Sequence, residues 1–170
     1  MTSTILDTTG IRADHLVGRA RILTTGAARL FAVSTDAPAS DLDAELSRLM
    51  PMLEAAQADA GLRGAGPVVV RYLPGVPAWR MDVGVPVTGW AWVRPAGQAA
   101  LVDLAPIRCA ALLHWGGLEH IGESYEALNG AISEAGLSAT GEGREWYLRF
   151  AGDASVENVV LLQLGVTDSS

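Results

Sequence analysis

The sequence predicts an α+β fold in which two β-α-β-β units are related by a pseudo-two-fold axis and enclose a ligand groove between them. Three observations support this prediction. Hydrophobic residues make up 49% and charged residues 18% of the 170 residues, which is typical of a globular protein with a large core. Short segments recur at a spacing of 75 residues. The hydrophobic periodicity also changes in the order strand, helix, strand, strand in each half.

The internal repeat is weak, but its pieces keep one order. The recurring segments are Ala60-Gly61-Leu62 and Ala135-Gly136-Leu137, Gly66 and Gly141, and Tyr72-Leu73 and Tyr147-Leu148. We therefore expect an N-terminal extension over residues 1–20 and one domain over residues 21–170. The two repeats of that domain cover about 21–87 and 104–166.

The first repeat opens with a predicted strand over residues 30–35. Ser40 is a predicted helix N-cap with Asp43 three residues later, and Gly61 is a predicted C-cap. An apolar stripe at helical spacing joins them: Leu42, Leu46, Leu49, Met50 and Leu53. Pro51 is expected to kink or break this helix. Two strands follow, over residues 67–73 and 81–87.

The second repeat has the same predicted order. Residues 108–115 form a strand, and a helix with one apolar stripe follows and ends at Gly136. The stripe consists of Ile121, Tyr125, Leu128 and Ile132. Strands over 145–150 and 159–166 complete the unit, and the segment 88–103 between the repeats has room for a connecting strand.

The strand over 145–150 carries an acid on one of its two faces. Alternation places Glu145, Tyr147 and Arg149 on one face and Trp146, Leu148 and Phe150 on the other, which we expect to be core. The repeat aligns Tyr72 with Tyr147 and Val70 with Glu145, so the fold itself does not require an acid there. Glu145 is then either a ligand-binding carboxylate, a solvated one, or the ion-pair partner of Arg144 or Arg149.

The chain resembles the GyrI-like small-molecule-binding domains, which also form the effector-binding parts of multidrug-sensing transcription regulators. The resemblance covers about residues 21–166. It is carried by Gly66-Pro67 before Arg71-Tyr72, Asp82-Val83-Gly84-Val85-Pro86-Val87, Leu104-Ala105-Pro106, His114-Trp115-Gly116, Ser124-Tyr125-Glu126-Ala127-Leu128, and Glu145-Trp146-Tyr147. It implies the duplicated β-α-β-β fold, with the ligand-facing acid at Glu145 and its neighbouring aromatic residue at Tyr147. This chain has Leu118 where relatives often have an aromatic residue, and Asp82 where they often have glutamate.

The predicted ligand site is acidic and aromatic. A carboxylate among aromatic rings favours cations and hydrogen-bond donors, while the ring faces add cation-π attraction and stacking. Five tryptophans and only two phenylalanines suggest that aromatic residues do more than fill the core. The predicted ligand-binding residues are Glu145, Tyr147, Trp115, Tyr72, Trp79, Trp90, Trp92, Leu118 and Asp82, and Trp115 ranks first among the tryptophans.

Three functions fit these residues. The leading one is binding of aromatic, often cationic, drug-like molecules for sensing, sequestration or resistance. The alternative is a hydrolase that opens the cyclopropane of DNA-alkylating natural products, an activity that the resemblance implies for some relatives. Glu145 would be its general base and Tyr147 its assisting hydroxyl. The third is a partner protein that acts like a gyrase inhibitor.

Composition argues against several other classes. A net charge of −7 disfavours direct nucleic-acid binding, because phosphate contacts need clustered basic residues. A single cysteine, Cys109, permits no internal disulfide, and His15, His114 and His120 lack metal-ligand spacing. We predict no metal and no cofactor. The start of the chain does not resemble a signal peptide, and no apolar run is long enough to span a membrane, so we expect a cytoplasmic protein without membrane contact.

Overall fold

The computed structural model describes residues 16–62, 66–88 and 97–169, and it shows an α+β protein with antiparallel strand pairing. In chain order the elements are β1 (Arg21–Thr24), β2 (Ala28–Ala37), α1 (Leu42–Asp59), β3 (Val68–Leu73), β4 (Trp79–Pro86), β5 (Ala100–Leu104), β6 (Arg108–Trp115), α2 (Ile121–Glu134), β7 (Leu137–Arg149) and β8 (Val159–Asp168). Contacts divide the chain into two compact units. The central unit comprises residues 27–105, and the terminal unit comprises residues 1–26 together with 106–170.

Among the described residues, each unit contains one α-helix and four strands. In the central unit the strand order is β3-β4-β2-β5, and α1 packs on β2 and β4. In the terminal unit the order is β7-β8-β6-β1, and α2 packs on the strands of that unit. Both units therefore follow the predicted order strand, helix, strand, strand, and each adds one edge strand. The groove, the pseudo-two-fold axis and the superposition of the repeats stay predictions.

The terminal unit has its core between α2 and one sheet face. Leu128 and Ile132 of the helix are buried against apolar side chains of β6 and β8, which are Ala110, Leu112, Val160, Leu162 and Val166. Ile121 and Tyr125 pack against the same cluster. The predicted apolar stripe of this helix is confirmed. Because a short helix is marginal in water, this packing is what stabilises it.

The ends of the helices match the sequence in part. Gly61 and Gly136 have positive φ angles of 71° and 65° and lie just beyond their helices, so both C-caps are confirmed. The Ser40 N-cap is wrong: residues 39–41 form a 3-10 turn ahead of α1, and the Ser40 hydroxyl donates to the carboxylate of Asp41 instead. Of the two outcomes expected at Pro51, a break is wrong, because α1 is continuous through it, and a kink stays a prediction. Burial of Leu49 and Leu53 on either side compensates for the missing backbone hydrogen bond.

Strand β7 differs most from the expectation. It starts at Leu137 rather than near Glu145, and its pairing with β8 shifts between Tyr147 and Arg149. Tyr147 pairs with Val160 whereas Arg149 pairs with Val159, so one extra residue is accommodated there. The predicted alternation is therefore wrong beyond Tyr147. Arg149 does not share the face of Tyr147, and Phe150 is 54% exposed rather than core.

Two edge strands complete the sheets. The connecting strand suggested for residues 88–103 is observed as β5, which pairs with β2. The pairing of β1 with β6 was not predicted. Ahead of β1, Leu16 is fully buried and its carbonyl accepts the Leu113 N–H of β6. Among the described helices, none combines the length and the hydropathy that a membrane span requires.

Candidate functional site

Glu145 lies on the helix-covered face of the terminal sheet. It pairs with Leu162 across the β7–β8 ladder, and directly paired residues project to the same side of a sheet. Leu162 belongs to the core cluster beneath α2, as does the partly buried Tyr147. The side chain of Glu145 is accordingly buried, with a residue exposure of 6%. The solvated-carboxylate alternative is thereby ruled out.

Two tyrosine hydroxyls bind this carboxylate. Tyr147, two residues along β7, donates its hydroxyl to Oε2 of Glu145 at 2.8 Å. Tyr125 reaches down from α2 and donates its hydroxyl to Oε1. A strand and a helix therefore converge on one acid. We call Glu145, Tyr125 and Tyr147 the acid cluster.

A buried histidine braces the helix that carries Tyr125. The His114 Nε2 lies 3.1 Å from the carbonyl of Gly117, and its Nδ1 lies 2.9 Å from the hydroxyl of Ser124. A carbonyl only accepts hydrogen bonds, so Nε2 carries the proton, and in the neutral ring Nδ1 accepts from Ser124. Because Ser124 immediately precedes Tyr125, this bridge between β6 and α2 fixes the part of the helix that supplies the second hydroxyl.

The acid cluster combines charge and aromatic surface in an apolar setting. The carboxylate supplies a negative charge and acceptor oxygens, and the two phenol rings supply faces that attract cations or stack on planar groups. Both hydroxyls are neutral donors. An electrostatic interaction is stronger in such a setting than in water, so a ligand bearing a cation or a donor gains more here than at the surface.

Two other predicted ligand residues also lie in the terminal unit. Trp115 is 60% exposed at the end of β6. It pairs with Val159, which places it on the sheet face opposite Glu145. Leu118 is half-buried at the start of a 3-10 turn and packs on the core cluster. The structure does not bring Trp115 into the acid cluster, and the ligand roles of both residues stay predictions.

Three further candidates lie in the central unit. Tyr72 is half-buried in β3 opposite Met81, and Trp79 is half-buried at the start of β4. Asp82 is fully buried, and Arg71 donates two hydrogen bonds to its Oδ2 at 2.8 and 2.6 Å. Its Oδ1 accepts the hydroxyl of Ser34 at 2.6 Å. These partners explain the burial of Asp82 without a ligand, and its ligand role stays a prediction.

The remaining candidates are Trp90 and Trp92, which lie outside the described residues. Arg144, one suggested partner of Glu145, projects from the opposite face of β7 and donates to Glu142 at 2.7 to 2.8 Å. Within the described part of the chain, no group of three or more His, Cys, Asp or Glu side chains is arranged to hold a metal ion.

Sequence reasoning missed the roles of Tyr125 and His114. Tyr125 was assigned to an apolar helix stripe, and it does pack there, but its hydroxyl extends to Glu145. The available signal was a single hydroxyl-bearing residue in an otherwise aliphatic stripe. The sequence pattern excludes His114 as a metal ligand and assigns it no contact, whereas its ring nitrogens form hydrogen bonds within the unit.

Neither a protein-family model nor a curated protein sequence matches this chain. Several solved structures share its fold. The chain of EcmrR in a cryo-EM structure of an EcmrR–DNA complex has a TM-score of 0.67 at 13% identity, with 89% of this chain and 58% of that chain covered. This protein thus spans somewhat more than half of that EcmrR chain. The separate C-terminal domain of EcmrR has a TM-score of 0.64 at 14% identity, with 98% of it covered.

Two further structures are similar over nearly their whole length. SAV2435 bound to tetraphenylphosphonium has a TM-score of 0.65 at 12% identity, with 88% of this chain and 94% of SAV2435 covered. A hydrolase from Listeria innocua has a TM-score of 0.59 at 12% identity, with coverages of 89% and 93%. At this identity the similarity shows the fold, which is consistent with a GyrI-like domain, and a fold by itself does not specify a function.

Proposed function

We propose that this protein binds small aromatic molecules, often cationic ones, at the acid cluster of its terminal unit, for sensing, sequestration or resistance. One observation carries the proposal: the buried Glu145 carboxylate bound by the hydroxyls of Tyr125 and Tyr147. Two aromatic rings and one acid in an apolar environment match the chemistry of a planar or cationic ligand. The similarity to SAV2435, solved with an aromatic cation, supports the same ligand class.

A ligand would use the cluster by exchange. Its donor or cationic group would replace one tyrosine hydroxyl at the carboxylate, while the ring of that tyrosine remains as an aromatic wall. The hydroxyl that is replaced is either that of Tyr125, from the helix, or that of Tyr147, from the strand that also holds Glu145. The gain is the difference between an ion pair with the carboxylate and the hydrogen bond that the neutral hydroxyl makes to it, which is about 1 to 3 kcal/mol.

The test is calorimetric titration with tetraphenylphosphonium and with triphenylphosphine oxide, a neutral compound that also carries phenyl rings. Glu145→Gln keeps the shape of the side chain but removes its charge. It should weaken binding of the cation by about 1 to 3 kcal/mol and change binding of the neutral compound much less. Glu126→Gln is the matched control, because it removes an exposed charge one residue from Tyr125. Equal effects of the two substitutions on the cation would contradict the proposal.

A second candidate function is hydrolysis. It is favoured by the two hydroxyls on one carboxylate, since Glu145 can act as general base on water while a tyrosine orients a substrate or donates a proton. The Listeria innocua neighbour that is a hydrolase lends support at the level of fold.

Product analysis separates the two candidates. The protein would be incubated at substoichiometric levels with a DNA-alkylating cyclopropane compound, and ring-opened product would be measured. Turnover that falls about 100-fold or more in Glu145→Gln, with substrate binding retained, would establish the enzyme. Stoichiometric binding without product would establish the binding protein alone.

A further inference from the structure

Phe150 is a large apolar side chain that the fold holds at the surface beside the acid cluster. The register shift after Tyr147 turns the chain so that the ring of Phe150 lies against the ring of Tyr147, with centroids 6.0 Å apart and planes at 87°. More than half of the residue is exposed to solvent. Tyr147 in turn donates to Glu145, so a single ring separates Phe150 from the carboxylate.

The turn after Phe150 is fixed by a buried asparagine. The side chain of Asn158 accepts the N–H of Ala151 at 2.8 Å and donates to the carbonyl of Gly152 at 2.8 Å, and Asn158 is fully buried. The carbonyl of Asp153 in the same turn accepts the N–H of Leu118, which leads into α2. The backbone next to Phe150 is therefore tied both to β8 and to the connection that precedes the helix carrying Tyr125.

An exposed phenylalanine that is held in place this way is suited to binding. Exposing an apolar ring to water is unfavourable, and covering it with a ligand ring recovers that free energy. Because the backbone beside it is already fixed, little further conformational entropy is lost when a ligand binds. A third aromatic ring, such as that of a ligand, can also pack against an edge-to-face pair of rings.

We infer that Phe150 is a specificity-determining residue of the site: it contacts a ring of the ligand while Glu145 holds the cationic or donor group. This inference rests on the proposed function and deepens it, because it selects aryl-bearing cations over alkyl cations of the same charge. Tetraphenylphosphonium and tetrabutylphosphonium are a suitable pair of probes, since both carry one positive charge and only the first has rings.

The experiment measures the affinity of both cations for the parent protein and for Phe150→Ala, Phe150→Tyr, Glu145→Gln and Val156→Ala. Val156 is the matched control, because it is a 76% exposed apolar residue in the turn between β7 and β8. We expect Phe150→Ala to weaken tetraphenylphosphonium binding about 5- to 10-fold, the equivalent of one lost aromatic contact, and tetrabutylphosphonium binding by less than about 2-fold. Phe150→Tyr should restore the aryl preference, and Val156→Ala should leave it unchanged. Thermal unfolding of each variant verifies the fold.

The outcomes separate this inference from the proposed function. Suppose that Glu145→Gln weakens the binding of both cations while Phe150→Ala leaves the preference for the aryl cation intact. The inference is then overturned and the binding function stands. If Phe150→Ala lowers the affinity for the two cations equally, the ring acts only on the structure of the site. This result would also overturn the inference. If the parent protein binds neither cation, both the inference and the proposed function fail for this ligand class.

Discussion

The two units bury an acid in different ways. In the terminal unit Glu145 lies on the sheet face that packs against the helix, and its oxygens accept the hydroxyls of Tyr125 and Tyr147. In the central unit the buried acid is Asp82, which pairs with Ser34 and Arg71 across its neighbouring strands. Helix α1 contacts the other face of that sheet, because its Arg48 donates to Thr35, the neighbour of Ser34.

The difference lies in the side chains that bind each acid. Asp82 forms an ion pair with the two Arg71 nitrogens and also accepts from Arg80, so its charge is compensated within the unit. The oxygens of Glu145 accept the hydroxyls of Tyr125 and Tyr147, whose rings add aromatic surface beside the acid. At the position that the repeat aligns with Glu145, the central unit has the buried Val70. A buried acid is therefore an addition to this strand position, and the ligand roles of both acids stay predictions.

The largest expected effect is on stability in the central unit. Asp82→Asn removes the charge that Arg71 and Arg80 contact, and breaking a buried ion pair costs about 3 to 5 kcal/mol. Because Arg71 keeps 14% of its side chain exposed, we expect the lower end, about 3 kcal/mol, in chemical denaturation. Glu145→Gln should cost about half as much, about 1.5 kcal/mol, since glutamine still accepts one tyrosine hydroxyl.

Arg71→Met is the companion variant for this prediction. It also breaks the ion pair, so it should destabilise the protein by a similar amount, and the double variant with Asp82→Asn should cost clearly less than the sum of the two. Equal costs for Asp82→Asn and Glu145→Gln would contradict this difference between the two acids.

A smaller effect is expected from the hydroxyls. Tyr125→Phe removes one of the two tyrosine donors to Glu145, and hydrogen bonds to charged groups contribute about 1.5 kcal/mol or somewhat more. Ser34→Ala removes a donor to Asp82 in the same way but leaves both arginines, so its cost should stay below about 1 kcal/mol. Denaturation midpoints with unchanged slopes measure both. A larger cost for Ser34→Ala than for Tyr125→Phe would show that the two acids depend on their donors in the opposite order.

The sequence predicted those parts of the fold that local pattern determines. Strand β6 is observed over the predicted residues 108–115, and the apolar stripe of α2 packs as expected, because alternation and helical spacing both report burial directly. The first half of β7 was missed because Gly141 and Gly143 favour a turn, whereas pairing with the long β8 keeps the chain extended.

The site was predictable only along one strand. Alternation placed Glu145 and Tyr147 side by side, and the structure confirms that pair. Tyr125 required knowledge of where the helix packs, since 20 residues separate it from Glu145. The bulge that exposes Phe150 has no clear signal in the sequence, because an extra residue in a ladder depends on the partner strand.

The smallest expected effect concerns the buried thiol of the terminal unit. Burial raises the pKa of Cys109 from 9.0 to about 12, with a further increase from the charge of Glu142 and a partial opposing effect of Arg144. The folded state therefore keeps its proton at pH values where the unfolded chain has lost it, so stability falls as the pH rises from 9 towards 12. Between pH 8 and pH 10 this contribution should lower the free energy of unfolding by about 1 kcal/mol.

Cys109→Ala removes the thiol and should flatten the pH dependence by that amount, and a thiol reagent at pH 8 should modify the parent protein only after denaturant is added. Rapid labelling of the native protein, or identical pH profiles for the parent and the alanine variant, would show that this face of the terminal sheet admits solvent and tolerates a charge as the central unit does at Asp82.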